Sequence, residues 1–171
     1  KKKGFPMKKN SYRFAFWLGL LLLLTLLPGC QTQHSTPSVP TKTVTDCLDR
    51  EVVIPADPQR VACLYASTAH IMAMLGQEDK IVGIPNGIKR DVLMSYKRPD
   101  IAAVSVPFQD GAINIEELLA TNTDLVLIRQ STAVNEGEVE KLDKAGIPWV
   151  VVDYNSLEGL KKAVTVTGNV F

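Results

Sequence analysis

Short apolar segments alternate with helix-like segments from Thr43 to the end of the chain. The apolar segments hold four to six residues and are rich in β-branched side chains, as in Arg60–Tyr65, Leu125–Ile128 and Trp149–Asp153. Such segments are typical of strands buried on both faces, and strands separated by helices form parallel sheets. The pattern therefore predicts a doubly wound α/β domain with a mostly parallel sheet and helices on both sides.

Turn and capping residues predict the remaining elements. A β-hairpin is expected where Thr43–Asp46 and Arg50–Ile54 flank a polar turn, and Ile81–Pro85 is expected as a further strand. Ser, Thr and Asn begin helices and Gly ends them. The predicted helices are Ala69–Leu75 after the N-caps Ser67 and Thr68 and before Gly76, Lys89–Lys97, Ile115–Ala120 after Asn114, Glu136–Ala145 before Gly146, and a helix from Leu157, capped by Ser156, that stops at Gly168.

The first 29 residues have the pattern of a secretory signal peptide. Basic residues precede fourteen mostly apolar residues, Phe14–Leu27, and the small pair Pro28-Gly29 follows them. A membrane-spanning helix needs about 20 apolar residues, so the run favours a cleaved signal over a permanent span. We expect translation to start at Met7 and residues 1–29 to be removed.

The cleavage region resembles a lipoprotein signal. Leu27-Pro28-Gly29-Cys30 is similar to the bacterial lipobox, in which the cysteine is diacylated and becomes the new N-terminus. The resemblance implies lipidation at Cys30 and an extracytoplasmic protein anchored to the bacterial cell membrane. An ordinary signal peptide with a chance cysteine is the alternative. Residues 30–42 are polar and rich in Pro, Ser and Thr, which predicts a flexible tether before a folded part at 43–171.

Charge and motif content exclude several classes of protein. The net charge of +1 conceals six basic residues and no acidic residue in the first 29, so the remainder carries a net charge of −5. A nucleic-acid partner is therefore not expected. The sequence lacks GxxxxGK[ST], GxGxxG, HExxH and CxxC patterns, so we expect no bound cofactor and no resident metal.

Candidate catalytic side chains are few. Of the two histidines, His34 lies in the tether, and His70 lies among apolar residues of a predicted helix, where a structural role is favoured over a catalytic one. Cys47 and Cys63 could pair in an oxidising compartment, although two small buried side chains is the favoured interpretation. Without a nucleophile and its base, an enzyme is not expected.

The order of segments from Thr45 to Phe171 resembles a known family. Pro58, Arg60-Val61, Leu75-Gly76 and Asp124-Leu125-Val126 are similar in order and spacing to the opening of the periplasmic binding proteins that serve ABC importers of iron–siderophore complexes, haem and cobalamin. The resemblance covers one of the two lobes of such proteins. It implies a Rossmann-like N-terminal lobe that ends in the helix joining the lobes, with the second lobe missing from this sequence.

Candidate ligand-binding residues follow from the predicted sheet, because ligands bind beyond the carboxyl ends of parallel strands. The helix N-terminus at Ser67 favours anions. Arg129 follows a buried strand, where it either pairs with a ligand carboxylate or remains a solvated loop residue. The resemblance implies a ligand contact for Phe108. The predicted ligand-binding residues are Ser67, Thr68, Asn86, Phe108, Gln109, Arg129 and Tyr154.

The resemblance also implies the function. Asn114-Ile115-Glu116 is similar to a motif whose acidic residue pairs with arginines of the membrane permease, and an acidic residue at a helix N-terminus is also favourable by itself. The expected protein is a substrate-binding lipoprotein that delivers a metal chelate or corrinoid (an iron–siderophore, haem or cobalamin-type ligand) to an ABC permease and its ATPase. Alternatives are an extracytoplasmic lipoprotein enzyme on a similar scaffold and an isolated, degenerate lobe with an interaction role.

Overall fold

The computed structural model describes residues 39–171, so the predicted signal peptide, Met7, Cys30 and His34 lie outside the described residues. The strands are β1 (Thr41–Thr45), β2 (Glu51–Pro55), β3 (Val61–Cys63), β4 (Ile81–Gly83), β5 (Phe108–Gln109), β6 (Ala112–Ile113), β7 (Leu125–Ile128) and β8 (Trp149–Val151). The helices are α1 (Ala66–Met74), α2 (Val92–Lys97), α3 (Ile115–Ala120), α4 (Gln130–Ala133), α5 (Glu136–Ala145) and α6 (Leu157–Val170). Short 3₁₀ helices cover Glu78–Lys80, Asn86–Arg90 and Ile101–Ala103.

Four parallel strands form the central sheet in the order β4-β3-β7-β8. Val61 of β3 is in register with Ile81 on one side and with Leu125 on the other, and Val126 of β7 is in register with Trp149. β1 and β2 form a separate antiparallel hairpin, as do β5 and β6. The prediction of an α/β fold with a mostly parallel sheet is confirmed.

Both faces of the sheet are covered. Along β7, Leu125 and Leu127 enter one apolar cluster, while Val126 and Ile128 enter the other. The first cluster contains side chains of α1, α2 and α6, and the second contains those of α3 and α5. Alternate side chains of one strand thus pack on opposite helical layers, which explains why these strands are continuously apolar in sequence.

A buried carboxylate joins the β1–β2 hairpin to the sheet. Asp46 is wholly buried in the turn, where it accepts hydrogen bonds from Arg50 Nη2 at 2.7 Å and from the backbone N–H of Leu48 at 2.8 Å. It also accepts one from the backbone N–H of Val151 in β8 at 3.3 Å. Arg50 also makes a cation–π contact with Trp149, because its guanidinium carbon lies 3.8 Å from the ring centroid of that residue.

A second carboxylate explains part of the family resemblance. Asp124, directly before β7, accepts hydrogen bonds from the backbone N–H groups of Gln59 at 2.8 Å and Arg60 at 3.1 Å, directly before β3. The Arg60 side chain in turn donates to the carbonyl of Thr121. These residues therefore align the amino ends of two neighbouring strands, a structural task that requires no ligand.

Several predicted boundaries are wrong, and each has a local reason. Ser67 and Thr68 lie inside the first turn of α1, whose N-cap is Tyr65. The predicted helix Lys89–Lys97 divides at Asp91, whose side chain accepts from the backbone N–H of Met94 and so begins α2.

At the two ends of the described lobe, packing extends the predicted elements. Thr41 and Lys42, assigned to the tether, pair with β2 as the first residues of β1. The last helix, α6, continues past Gly168 to Val170, because Val166, Thr167 and Val170 still face the core. Burial of that face outweighs the cost of about 1 kcal/mol for a helical glycine. The caps at Asn114 and Ser156 and the left-handed Gly146 are confirmed.

The described cysteines are both free. Cys63 is wholly buried with its sulfur 3.3 Å from that of Met72, and burial raises the pKa of its thiol to about 12. Cys47 is partly buried in the hairpin turn. His70 Nε2 lies 3.1 Å from a carboxylate oxygen of Asp91, so the histidine joins α1 to the residue that caps α2. Within residues 39–171, no helix combines the length and apolar character that crossing a bilayer requires.

Replacing Asp46 tests the attachment of the hairpin. We expect Asp46→Ala to lower the free energy of unfolding by about 3 kcal/mol, because Arg50 and three backbone N–H groups lose a buried acceptor. Urea unfolding followed by circular dichroism measures this loss. Glu51→Ala, at an exposed position of the same hairpin, is the matched control. Equal stability of the two variants would contradict the structural role given to Asp46.

Candidate functional site

The loops that follow the four parallel strands meet at one edge of the sheet. Asn86 follows β4, Tyr65 and Ser67 follow β3, Arg129 follows β7, and Tyr154 follows β8. Because the strand order is β4-β3-β7-β8, these residues lie in that sequence along the carboxyl edge. The structure thus brings together the predicted residues of four separate segments of the chain.

A crevice is expected between β3 and β7. From β3 the chain proceeds to β4, which lies on one side of β3, and then returns to form β7 on the other side of β3. The helix after β3 packs in the first apolar cluster, whereas Ala133 of α4, after β7, packs against the second. The two connections therefore leave the sheet on opposite faces. In open α/β sheets this switch point is where ligands bind.

Tyr65 and Arg129 occupy this switch point. The guanidinium carbon of Arg129 lies 5.4 Å from the ring centroid of Tyr65, within cation–π range. Arg129 is exposed, and it makes no ion pair within residues 39–171. An oriented guanidinium without a carboxylate partner is suited to bind an anionic group.

Sequence reasoning missed Tyr65, because it was assigned to the end of the strand. Its signal was an aromatic residue directly after a buried apolar segment. Asp153 was likewise assigned to a strand, yet it lies after β8 and accepts hydrogen bonds from the backbone N–H of Gln130 at 2.9 Å and of Tyr154 at 2.8 Å. This carboxylate holds the loop after β7 against the loop after β8, next to Arg129.

The first turn of α1 supplies less than the sequence predicted. Thr68 is wholly buried and its hydroxyl donates to the carbonyl of Tyr65 at 2.7 Å, so its side chain does not fit a ligand-binding role. The hydroxyl oxygen of Ser67 is buried without a hydrogen-bond partner in the described part of the chain. Asn86 and Tyr154 are exposed and remain accessible at the carboxyl edge.

Tyr154 lines a small depression at the β8 end of the same edge. The depression has a volume of about 190 Å³, and Gln130, Asn155 and Lys162 contribute to its walls. The Lys162 ammonium donates to Asp49 at 2.7 Å and to the carbonyl of Cys47 at 3.1 Å. Hydrogen bonding to Asp49 is the main reason that the pKa of Lys162 lies above its ordinary value.

Phe108 and Gln109 form β5 of the small hairpin. Phe108 is partly buried and packs against the second apolar cluster, while Gln109 is exposed. Gln109 lines a depression of about 470 Å³ together with Glu116 and Lys141. Glu116 itself is exposed in the first turn of α3, where the side chain of Asn114 accepts from the backbone N–H of Glu117. The predicted ligand contact and the predicted docking residue thus share one hairpin-to-helix segment.

Glu138 of α5 holds this segment in place. Its carboxylate accepts the backbone N–H of Ile113 in β6 at 2.6 Å and pairs with the Lys141 ammonium at 2.8 Å. Burial disfavours the charged carboxylate, but Lys141 and the Ile113 N–H outweigh it and keep the pKa of Glu138 below its ordinary value. No group of three His, Cys, Asp or Glu side chains suited to a metal ion occurs among residues 39–171.

Comparison with known proteins agrees with this geometry. The sequence profile of a family described as periplasmic binding protein matches residues 61–171. The chain belongs to the periplasmic binding protein family. The profile begins with β3 and therefore includes every strand of the parallel sheet, the Tyr65–Arg129 pair and α6.

Three relatives illustrate the similarity of this periplasmic binding protein sequence. The molybdate-binding protein MolA of Haemophilus influenzae is 28% identical over 170 residues, covering 87% of this chain and 48% of MolA. The uncharacterised ABC transporter substrate-binding lipoprotein YvrC of Bacillus subtilis is 26% identical over 175 residues, covering 95% of this chain and 51% of YvrC. The crystal structure of a periplasmic solute binding protein from Veillonella parvula has a TM-score of 0.67 and 26% identity, covering 77% of this chain and 41% of that protein.

The chain spans about half the length of the curated relatives it matches. The parallel sheet with its covering helices corresponds to an N-terminal lobe of such proteins, which confirms the family resemblance.

The pH dependence of stability tests the Glu138 contact. A lowered carboxyl pKa in the folded protein contributes stability that is complete above the unfolded value of about 4.3 and is lost as pH falls through the folded value. We expect Glu138→Gln to lower the free energy of unfolding by about 1 kcal/mol at pH 7, and this difference from wild type to shrink in acid. Urea unfolding between pH 7 and pH 3 measures it.

The matched control is Glu140→Gln on the same helix, where an exposed carboxylate pairs with Lys144 at 2.9 Å. An exposed pair contributes little, so this variant should resemble wild type at every pH. A Glu138→Gln deficit that is independent of pH would contradict the electrostatic interpretation.

Proposed function

We propose that this chain is the N-terminal lobe of a substrate-binding lipoprotein of an ABC importer. Its task is to capture a metal-containing ligand outside the cytoplasm and to present it to a membrane permease. Family membership supports this proposal, as do relatives named as binding proteins for molybdate and for ABC transport. Capture requires no bond chemistry, and the proposed function is accordingly not enzymatic.

The observation that carries the proposal is the position of the Tyr65–Arg129 pair. The pair lies at the switch point of the sheet, where α/β proteins bind ligands, and no carboxylate among residues 39–171 forms an ion pair with the guanidinium beside the tyrosine ring. Desolvation between two lobes would strengthen an ion pair formed there. The ligand that fits is therefore one that presents an anionic group.

Several metal-containing ligands satisfy this requirement. Siderophore carboxylates and haem propionates are anionic, which agrees with the iron–siderophore and haem classes expected from the sequence. The molybdate bound by MolA is itself an oxyanion. Cobalamin-type ligands would depend more on the aromatic contact proposed for Phe108, together with the polar side chains of Asn86, Gln109 and Tyr154. Ser67 remains a candidate, because its hydroxyl has no hydrogen-bond partner among the described residues.

Docking to the permease is assigned to Glu116. Its carboxylate is exposed at the start of α3, beside the depression lined by Gln109, and within residues 39–171 it has no ion-pair partner. An exposed acidic side chain that its own lobe leaves unpaired is available to a permease arginine. The energy for release would come from the ATPase that drives the permease.

The membrane anchor is assigned to Cys30, after removal of the signal peptide. The lipobox-like sequence supports it, and the relative YvrC is named as a lipoprotein. A tethered receptor keeps a high local concentration near its transporter. The localisation proposed is therefore the outer face of the bacterial cell membrane.

Arg129 is tested in the complete receptor, including its second lobe. Ferric siderophore, haem, cyanocobalamin and molybdate are titrated separately, with intrinsic fluorescence as the readout. For an anionic probe that binds, Arg129→Ala should weaken affinity at least about tenfold, because one charged hydrogen bond contributes about 1.5–3 kcal/mol. Arg90→Ala, an exposed arginine on the loop after β4, is the control. Unchanged affinity in Arg129→Ala would remove Arg129 from the site, and failure of every probe would contradict the proposed ligand class.

Glu116 is tested by transport rather than by binding. We expect Glu116→Ala in the complete receptor to retain ligand affinity but to reduce uptake of that ligand into cells by about tenfold, because a charged contact at the docking surface is lost. Glu136→Ala is closely matched, since Glu136 is also an exposed acidic residue in the first turn of a helix. Equal uptake by both variants would show that Glu116 does not dock the permease.

A further inference from the structure

The outward face of α2 is apolar and solvent-exposed. Met94 is wholly buried under the helix, and Val92 and Tyr96, one turn apart on the opposite side, are 84% and 85% exposed. Leu93 beside them is 50% exposed. We call Val92, Leu93 and Tyr96 the α2 face. Large apolar side chains grouped on one short helix are an exposed patch of the kind that usually has a partner.

Two cations lie close to the α2 face. Lys89 and Arg90 directly precede the helix, and neither forms an ion pair within the described part of the chain. Glu78 pairs with Lys97 and Asp100 pairs with Arg98, whereas the partner of Asp91 is His70, which carries a charge only when protonated. Lys89 and Arg90 therefore outnumber Asp91 at the start of α2, and the net charge of these three residues is positive.

Exposed apolar side chains flanked by cations match the interface of an anionic bilayer. Apolar side chains enter the boundary between headgroups and acyl chains, while Lys and Arg remain at the level of anionic headgroups. Tyrosine is one of the residues that prefer this level, because its ring is apolar and its hydroxyl is polar.

The sequence places such a bilayer within reach. If Cys30 is the lipid anchor, the nine residue steps from Cys30 to Val39 span at most about 30 Å. The described lobe of the anchored protein would therefore begin within about 30 Å of the bilayer surface. This step rests on the lipid anchor of the proposed function.

We propose that the α2 face docks the anchored lobe on the anionic surface of its own membrane. The docking surface shares no residue with the Tyr65–Arg129 pair. Arg98, directly after α2, donates to the carbonyls of Glu78 and Ile81 at the start of β4, so α2 ends near the amino edge of the sheet. The Tyr65–Arg129 pair lies at the carboxyl edge between β3 and β7, and neither residue belongs to the α2 face.

The test uses the full acylated chain, purified from bacterial membranes and reconstituted into vesicles. Tyr96→Trp places a fluorophore on the α2 face, and Leu157→Trp is the matched control on an exposed apolar position beside Glu158. The vesicles contain brominated phosphatidylcholine, which quenches tryptophan on contact, with or without about one-third phosphatidylglycerol. Emission is compared with that of the parent chain, which after removal of residues 1–29 carries the same single native tryptophan, Trp149.

In anionic vesicles we expect the tryptophan at position 96 to lose roughly half of its emission and the one at position 157 to lose little, because only side chains at the boundary meet the brominated chains. Adding Lys89→Glu and Arg90→Glu should abolish the difference. Equal quenching at both positions, in a chain that floats with the vesicles, would overturn the docking proposal and leave the anchor standing. A chain that does not float with the vesicles would overturn both.

Discussion

Burial of four parallel strands on both faces constrains the rest of this molecule. Alternate side chains of β7 pack into separate apolar clusters, so helices must cover both sides of the sheet. Every crossover therefore returns across a face, and all four strands end at the same edge. Loops that are distant in sequence meet at that edge, and the change of direction between β3 and β7 places Tyr65 and Arg129 at the switch point of the sheet.

Carboxylates that accept backbone N–H groups hold the peripheral segments against this sheet. Asp46 joins the β1–β2 hairpin to β8, Glu138 joins the β5–β6 hairpin to α5, and Asp153 joins the loops after β7 and β8. Hairpins with two to five residues per strand bury little apolar area of their own. Ionic acceptors at fixed positions compensate, because a hydrogen bond to a charged group contributes more than a neutral one.

In the proposed function, different surfaces of the lobe contact the ligand, the permease and the membrane. Arg129 at the carboxyl edge is available to a ligand, and Glu116 at the start of α3 is available to a permease, while the α2 face extends toward the amino edge. This arrangement suits a receptor that must be tethered, loaded and docked by different surfaces. It requires no catalytic group, in agreement with relatives named as binding proteins.

The sequence by itself determined the fold class, the helix caps at Asn114 and Ser156, and the edge at which ligands are expected, because these depend on local periodicity and on a general rule for parallel sheets. Only the tertiary structure decided that Thr68 is buried, that α6 continues through Gly168, and that Arg129 lies within cation–π distance of Tyr65. Those outcomes depend on contacts between residues far apart in the chain, and the energy of such packing exceeds local preferences.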